Sequence, residues 1–456
     1  MKHIYILGIC GTFMGGLAVL ARQLGFSVTG CDENVYPPMS DTLRAAGIDI
    51  VQGYDPQHLQ PHPDLVVIGN ALSRGNPAVE YVLNHNIPYT SGPQWLAEHL
   101  LRHRHVLAVS GTHGKTTTAS LLAWILVQAG LKPGYLIGGV ANDFKQTAAL
   151  GEGPYFVIEA DEYDTAFFDK RSKFIHYSPH TLTLNNLEHD HADIFSDLEA
   201  IKKQFQFLLR TVPENGLVIC PYKDNNVDDV LQRGCWSVLQ TFFGENADWQ
   251  AQNISADGSQ FEIVTQNQSQ GMVDWKMVGL HNVKNALAAV AAANHVGIKP
   301  QQSIVALNSF SGLKRRLEIC GVVNNITVYD DFAHHPTAIA TTLKGLRAKV
   351  GAARIIAILQ FASNTMKTGV HGAQPIANAL QEADSVVMLE SQEWDITAVA
   401  QHIHPVKTFD SVPKIVEWLT PQLRTGDHVL IMSNKGFDGI HRKLIESLQR
   451  TETPMP

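Results

Sequence analysis

The chain has 456 residues, 45% of them apolar and 17% charged, a balance that excludes a disordered, collagen-like or coiled-coil protein. Lys plus Arg number 35 against 43 Asp plus Glu, and the net charge of −8 excludes a generally basic nucleic-acid surface while leaving room for a local basic pocket. At roughly 100 to 200 residues per domain, the length allows two to four domains.

From the start, Ile4 to Ala21 is apolar for long enough to resemble a signal peptide or a membrane helix. Gly8, Gly11, Gly15 and Gly16 interrupt it, and glycine costs about 1 kcal/mol per site in a helix interior. The glycines favour a buried strand from Ile4 to Gly8, a turn, and a helix from Gly16 to Leu24. A strand-to-helix turn of this kind can hold a diphosphate on its amide groups. It lacks the dinucleotide fingerprint, because Cys10 and Phe13 stand where the second and third glycines belong, so a nicotinamide cofactor is disfavoured. Asp32, closing the second strand, has the position of a ribose ligand. Together with the run Asp64 to Asn70, these strands predict βαβ units around a parallel sheet.

A short basic stretch, Arg102 to His105, separates this unit from a second strand–turn–helix, Val106 to Ala129. Its turn reads Ser110-Gly111-Thr112-His113-Gly114-Lys115-Thr116-Thr117. Helix amides and one lysine aimed at a single point suit a triphosphate, and Thr116 has the position of a magnesium-ligating hydroxyl. The loop is a shortened variant, since Val109 replaces the first glycine of the ordinary spacing. Two later segments offer hard oxygen ligands for the ion: Glu159 in Ile158 to Glu162, and Glu188-His189-Asp190-His191. His189 with His191 also suggests zinc, without a third ligand at a typical spacing. Residues 248 to 276 alternate polar and apolar positions and predict antiparallel strands. A helix from Asn282 to His295 follows.

Beyond Ile319, strand-like runs (Asn325 to Asp331, Arg354 to Gln360, Asp384 to Glu390, Asp427 to Asn434) alternate with helices at about Pro336 to Val350, Gln374 to Glu382 and Gly439 to Leu448, giving a third α/β unit. The expected domains are 1–102, 103–318 and 319–456. Five scattered cysteines without a CxxC pair favour a reducing, cytoplasmic setting over a disulfide frame or a thiolate zinc site.

In this order, the phosphate loop, Glu159-Ala160-Asp161-Glu162, Asn186 to His191, Gly279 to Asn285, Arg315-Arg316-Leu317-Glu318 and Asp330 to Pro336 resemble the Mur ligases, the ATP-dependent amide-forming enzymes of peptidoglycan synthesis. The resemblance spans nearly the whole chain. It implies a three-domain α/β architecture: a Rossmann-like amino-terminal domain for the UDP-sugar, a central ATPase-like domain with the phosphate loop, and a Rossmann-like carboxyl-terminal domain for the peptide. The glycine turn and the Asp-Asp-Phe-Ala-His-His-Pro segment look like the ligases acting on UDP-N-acetylmuramate. Asn34 to Ser40, Asp169 to Phe174, Ser363 to Lys367 and Met432 to Phe437 look like the branch that adds the recycled tripeptide L-alanyl-γ-D-glutamyl-meso-diaminopimelate; the alternatives are the L-alanine-adding branch or a non-catalytic binder of ATP and the UDP-sugar.

Carried over motif by motif, the resemblance implies that Gly111, Thr112, His113, Gly114, Lys115, Thr116 and Thr117 hold ATP phosphates, with Lys115 on the β and γ groups. Thr116, Glu159 and His191 would serve Mg²⁺, the last two at a second ion. Asn282 would meet adenine, and Arg316 and Asp331 the nucleotide, Asp331 at its ribose. Gly11, Thr12, Asp32, Asn70, Ser73 and the loop to Arg74 would bind UDP and the sugar. Ser363, Asn364, Ser433 and Asn434 would meet the peptide. Lys115, Glu159, His191 and Arg316 form the expected catalytic set. His334 and His335 are read equally well as packing or as substrate-positioning groups, and Asn282 also as a helix cap. Two points stand out: Gln360-Phe361-Ala362 replace the branch's usual Glu-Pro-Arg, which removes an arginine, and Lys202 and Lys203 follow the Asp-His pair without either being assigned as the carbamylated lysine of several family members. Neither nucleic acid nor membrane insertion is expected.

Overall fold

A computed structural model describes residues 2–144, 146–192, 194–391, 393–403 and 405–451. The first sheet is all parallel, with strand order Asp49–Gln52, Ser27–Asp32, His3–Leu7, Leu65–Ile68, Tyr89–Ser91. The second has ten strands. Its parallel middle runs from Val238–Phe242 through Leu217–Pro221, Thr181–Leu184, His105–Ser110 and Tyr155–Glu159 to Gly134–Leu136. One flank carries the strands Trp249–Gln252, Gln260–Thr265 and Gln268–Asp274, the latter two antiparallel to their neighbours, in the polar segment where alternation predicts them. The third sheet has six strands, all parallel except for the edge hairpin Glu318–Val323 with Ile326–Asp331. These parallel strands are near-continuous apolar runs because helices cover both faces.

Among the described residues no helix is long and apolar enough to cross a membrane. The amino-terminal stretch is the strand His3–Leu7, a turn, and the helix Thr12–Gln23. The helix begins four residues earlier than the glycine penalty suggests, so Gly15 and Gly16 lie inside it. The reason is close packing: a Cβ on Gly15 would collide with Met39, and one on Gly16 with Leu136 of the central unit. Helix Pro336–Val350 falls where the spacing puts it. Helix Lys115–Gln128 and helix Leu280–His295 each begin one or two residues early. The hairpin of Asp164–Ala166 with Asp169–Ser172 and the strand Val406–Phe409 are not foreseen, being short and polar.

One apolar cluster joins the first two units. Ile6, Leu17 and Trp95 of the first pack in the same core as Val106, Leu136 and Phe156 of the second. The third unit has cores of its own, on the two faces of its sheet. Gly16 therefore sits at a shared core, where added volume costs typically ~1–3 kcal/mol. Gly16→Val is expected to lower the midpoint of the first thermal transition by several degrees, whereas Gly25→Ala, which meets nothing within 4 Å but has a positive φ, tests backbone strain separately. Equal midpoints for Gly16→Val and the parent would refute the close contact.

Candidate active site

The strand His105–Ser110 delivers the chain into a turn whose two glycines are both obligatory. Gly111 has φ +124°, and a Cβ there would lie 2.9 to 3.0 Å from backbone atoms of Asn185 and Asn186. Gly114, at φ +81°, caps the helix Lys115–Gln128. The tail of the neighbouring strand holds the turn in shape. Thr112 N–H donates to the Asn186 carbonyl (3.0 Å) and His113 N–H to the Asn186 side chain (2.8 Å), while Asn185 donates to Thr118 Oγ1 (3.0 Å). Thr112 and His113 thus have their amides committed to protein. The amides left to face an anion are those of the helix's first turn, from Lys115 and Thr116 on, which lack partners within the helix.

Lys115 is nearly buried. Its ammonium donates to the Gly111 carbonyl (2.7 Å) and to Glu162 Oε2 (2.9 Å), with Asp161 at 3.8 Å. Burial alone would lower its pKa, but Glu162 and Asp161 outweigh it and hold the ammonium well above its ordinary value. Glu162, 2% exposed at its side chain, also faces His191 Nε2 at 3.3 Å. Burial pushes this carboxyl up, yet Lys115 and His191 bring it down to about 2. His191 is correspondingly held above its usual value by Glu162 against the opposing effect of burial, and its ring leans on Tyr163.

Glu159 occupies a different place. It accepts from Thr116 Oγ1 (2.9 Å) and from Gly138 N–H (2.7 Å), and burial raises its carboxyl above the ordinary range. Glu159 and His191, expected to serve one ion, lie in two pairs here, Thr116–Glu159 and Glu162–His191. Asp161, Glu162 and His191 can each offer a ligand atom, all within 4.8 Å of one another. Hard carboxylate and hydroxyl oxygens, one of the carboxylates destabilised by burial, are the donor set that suits Mg²⁺. His189 turns away to the Phe195 carbonyl (3.2 Å) and does not join His191.

The third unit closes on this cluster through polar contacts. Glu188 accepts from Thr337 Oγ1 (2.6 Å) and from His113 Nε2 (3.3 Å), and His335 Nδ1 is 3.7 Å away. Burial opposes ionisation of Glu188, but the His113 and Thr337 donors draw its pKa down to about 2. His335 caps the helix Pro336–Val350 by accepting Thr337 N–H on Nδ1 (3.2 Å). His334 faces the Phe332 carbonyl from Nδ1 (2.8 Å). Burial favours the neutral form of both, down to about 3 for His335 and about 4 for His334.

A cavity of about 140 Å³ lies between the units, lined by Tyr163, Asp190 and His191 on one side and by His334, Ala362, Ser363, Thr365, Asn434 and Lys435 on the other. Asn434 Oδ1 is buried there without a partner among the described residues. Ser363 caps a one-turn helix through Met366 N–H, and Ser433 donates to Gln360 (2.6 Å). Gln360 and Ala362 stand in the places of the Glu and the Arg of Glu-Pro-Arg, and Ala362 brings no cation to the cavity. The side chain of Asn364 lies outside the described residues. A larger cavity of about 410 Å³, lined by Asn325 and Thr425 among others, lies elsewhere on the third unit and has no titratable group in its wall.

Other expected ligands are engaged by the protein itself. Asp331 is buried, accepting from Leu317 N–H (2.7 Å) and Ala333 N–H (2.8 Å), so it ties the interdomain linker to the sheet, and a ribose hydroxyl would have to share it. Arg316 and Arg315 both lie 5.1 Å from the Phe332 ring, but Arg315 makes the domain contacts, to the carbonyls of Ser433 and Lys435. Asn282 lies inside its helix and donates to the Val278 carbonyl (2.7 Å), so it does not cap the end. Asp32 accepts from the Cys10 and Asn34 amides (2.9 and 3.1 Å) and thereby shapes the amino-terminal turn. Gly11 and Thr12 begin the helix after that turn. Asn70 and Ser73 lie in the loop before Arg74, whose guanidinium is paired with Glu80 (2.9 Å). Lys202 pairs with Asp229 (3.0 Å) and Glu199 (3.2 Å), so it takes no part in the acid cluster. Sequence reasoning leaves Glu162, Asp161, Asn185, Asn186 and Lys173 without roles.

Three family descriptions match along the chain: Mur ligase family, catalytic domain, over residues 3–104; Mur ligase middle domain, over 109–293; and Mur ligase, glutamate ligase domain, over 315–435. The chain belongs to the Mur ligase family, ATP-dependent enzymes that join a carboxylate to an amine. Within it, the chain is 55% identical over 452 residues to the Escherichia coli UDP-N-acetylmuramate–L-alanyl-γ-D-glutamyl-meso-2,6-diaminoheptandioate ligase, covering 98% of each. The Haemophilus influenzae protein of the same name is 53% identical, with 98% of this chain and 100% of that one covered. The crystal structure of a murein peptide ligase from Psychrobacter arcticus shares 46% identity, with a TM-score of 0.77 over 98% of this chain and 99% of that one. A UDP-N-acetylmuramate-alanine ligase from Thermotoga maritima, 23% identical with a TM-score of 0.82 and coverage of 99% and 100%, shares the fold.

The buried neutral histidines set a pH dependence. An unfolded histidine takes up a proton near its ordinary value of 6.5, whereas folded His334 resists it to about 4. The unfolded state therefore binds more protons in that window, and stability should fall as pH drops from about 6.5 towards 4. His334→Asn is expected to flatten the decline in unfolding midpoint between pH 7 and pH 5; an unchanged slope would show that His334 contributes nothing to it.

Proposed function

We propose that the protein joins the carboxylate of UDP-N-acetylmuramate to the α-amine of L-alanyl-γ-D-glutamyl-meso-diaminopimelate at the expense of ATP, in peptidoglycan recycling. The observation that carries the reading is the buried charge cluster Lys115–Glu162–His191 beside Thr116–Glu159, set at a helix N-terminus between two further α/β units. A carboxylate attacking a polyanion needs its repulsion cancelled, and fixed charges in a nearly dry site do this best.

In the proposed sequence, a carboxylate oxygen forms a bond to the γ-phosphorus while the bridging oxygen leaves with ADP. The peptide amine then adds to the acyl carbon, inorganic phosphate departs, and the amine loses its proton. Lys115 receives the phosphoryl oxygens, exchanging part of its contact with Glu162 for them. Thr116 with Glu159, and Glu162 with His191 and Asp161, would hold Mg²⁺, which when bound supplies further positive charge. Arg316 approaches from the linker, Asn282 stands on the adenine side, and Gly11, Thr12, Asp32, Asn70 and Ser73 face the UDP-sugar. Ser363, Asn364, Ser433 and Asn434 belong to the peptide end, where Lys435 offers the cation that Ala362 lacks. The extents 1–102, 103–318 and 319–456 divide these tasks.

Purified protein given ATP and UDP-N-acetylmuramate should release phosphate with the tripeptide at a kcat/KM roughly 100-fold or more above that with L-alanine, since a pocket built for a longer chain uses its extra contacts in the transition state. Preference for L-alanine would move the protein to the other branch, and phosphate release with neither amine would make it a binder. Lys115→Ala should reduce turnover by about 10³ or more. Glu159→Ala and His191→Ala should each raise the Mg²⁺ concentration needed for half-maximal rate; unchanged magnesium titrations would remove these residues from the ion sites.

A further inference from the structure

Lys173 looks like one charge in the solvated run Asp169-Lys170-Arg171-Ser172-Lys173, but its side chain is only 9% exposed. Its backbone position is fixed on both sides. Lys173 N–H donates to the Tyr163 carbonyl (2.9 Å), and Ser172 Oγ donates to the Glu162 carbonyl (2.6 Å). The ammonium is thereby delivered to the meeting point of two units. Nζ lies 5.4 Å from the centre of the Phe13 ring, on the helix after the amino-terminal glycine turn, and 5.5 Å from that of Tyr163, in the loop of the acid cluster. Asp161 Oδ2 is its nearest carboxylate oxygen at 3.6 Å, while Oδ1 of the same residue is 3.8 Å from Lys115 Nζ.

An ammonium has three donors, and a nearly buried one is costly unless anions accept from them. Two ring faces and half of one carboxylate beyond hydrogen-bonding length do not meet that need. Both ammoniums also fall within the span of the single Asp161 side chain, so Lys173 flanks the place where Lys115 would hold the transferring phosphoryl group. The UDP diphosphate is expected on the amides of Gly11 and Thr12, at the start of the helix that carries Phe13. The anion suited to this position is a small one, close to the phosphoryl group and attached to a ligand that spans the first two units.

We infer that Lys173 binds the reacting carboxylate of the sugar acid, holding it beside the nucleotide's terminal phosphate. This rests on the ligase reading above and assigns a substrate-binding residue to it. As the carboxylate becomes an acyl phosphate, the negative charge stays within reach of the same ammonium, so the contact persists through the first chemical step.

The test is calorimetric titration of the parent protein, Lys173→Met and Lys173→Arg with UDP-N-acetylmuramate and with its lactyl carboxamide, which keeps every group except the charge. The parent should bind the acid about tenfold or more tighter than the amide, as charge-assisted contacts imply. Lys173→Met should abolish most of that gap while leaving the amide's affinity and the KM for ATP within about twofold, and Lys173→Arg should restore part of the gap. An undiminished gap in Lys173→Met, or equal weakening of acid and amide, would overturn the inference, the second result pointing to a packing or diphosphate role. A parent protein that binds neither ligand and forms no amide would instead bring down the ligase reading itself.

Discussion

The ion pair between Lys115 and Glu162 organises everything around the phosphate loop. Neither charge could remain in so dry a place alone, because removing one partner of a buried pair leaves the other uncompensated at a cost of several kcal/mol. Glu162 is shared with His191, Asp161 with Lys173, and the loop that carries these carboxylates is stitched to the hairpin behind it through Ser172. The result is a preorganised field in which a polyanion replaces protein carboxylates as the partner of existing cations. Little has to be rearranged when charge shifts during the reaction.

The neighbouring strands give that field its shape. Asn185 and Asn186, at the end of Thr181–Leu184, spend their polar atoms on the glycine turn, and this is why Gly111 can tolerate no side chain. Ligands of open parallel sheets lie at the carboxyl ends of strands, and Ser110, Glu159 and Asn185 all occupy such ends.

Much of this was legible in the sequence because parallel strands buried on both faces read as plain apolar runs, and because a glycine–lysine turn between strand and helix has few other uses. The choice among Glu159, Asp161 and Glu162 was not legible. The strand stops at Glu159, so the two-residue alternation that would assign faces ends before the other two carboxylates, and loop geometry decides which of them meets Lys115. Lys173 was hidden for a similar reason: a run of charges gives no hint that one member turns inward. Gly15 and Gly16 misled in the opposite direction, since local propensity counts against a helix there and only contacts with Met39 and Leu136, far away in the chain, override it. Asp331 accepts the Leu317 and Ala333 amides, contacts between strand end and linker that no local pattern in the sequence announces.

The way the three bodies adhere to one another differs. The first two are welded by a continuous hydrocarbon core, while the third meets them through Glu188 with Thr337, through Arg315 on the Ser433 and Lys435 carbonyls, and through the bare backbones of Gly345 and Gly279. Oily seams open only by wetting large areas, but polar ones can trade protein partners for water at small net cost. The linker that carries Arg315 and Leu317, both held at positive φ, thus lies at the polar seam and not at the oily one.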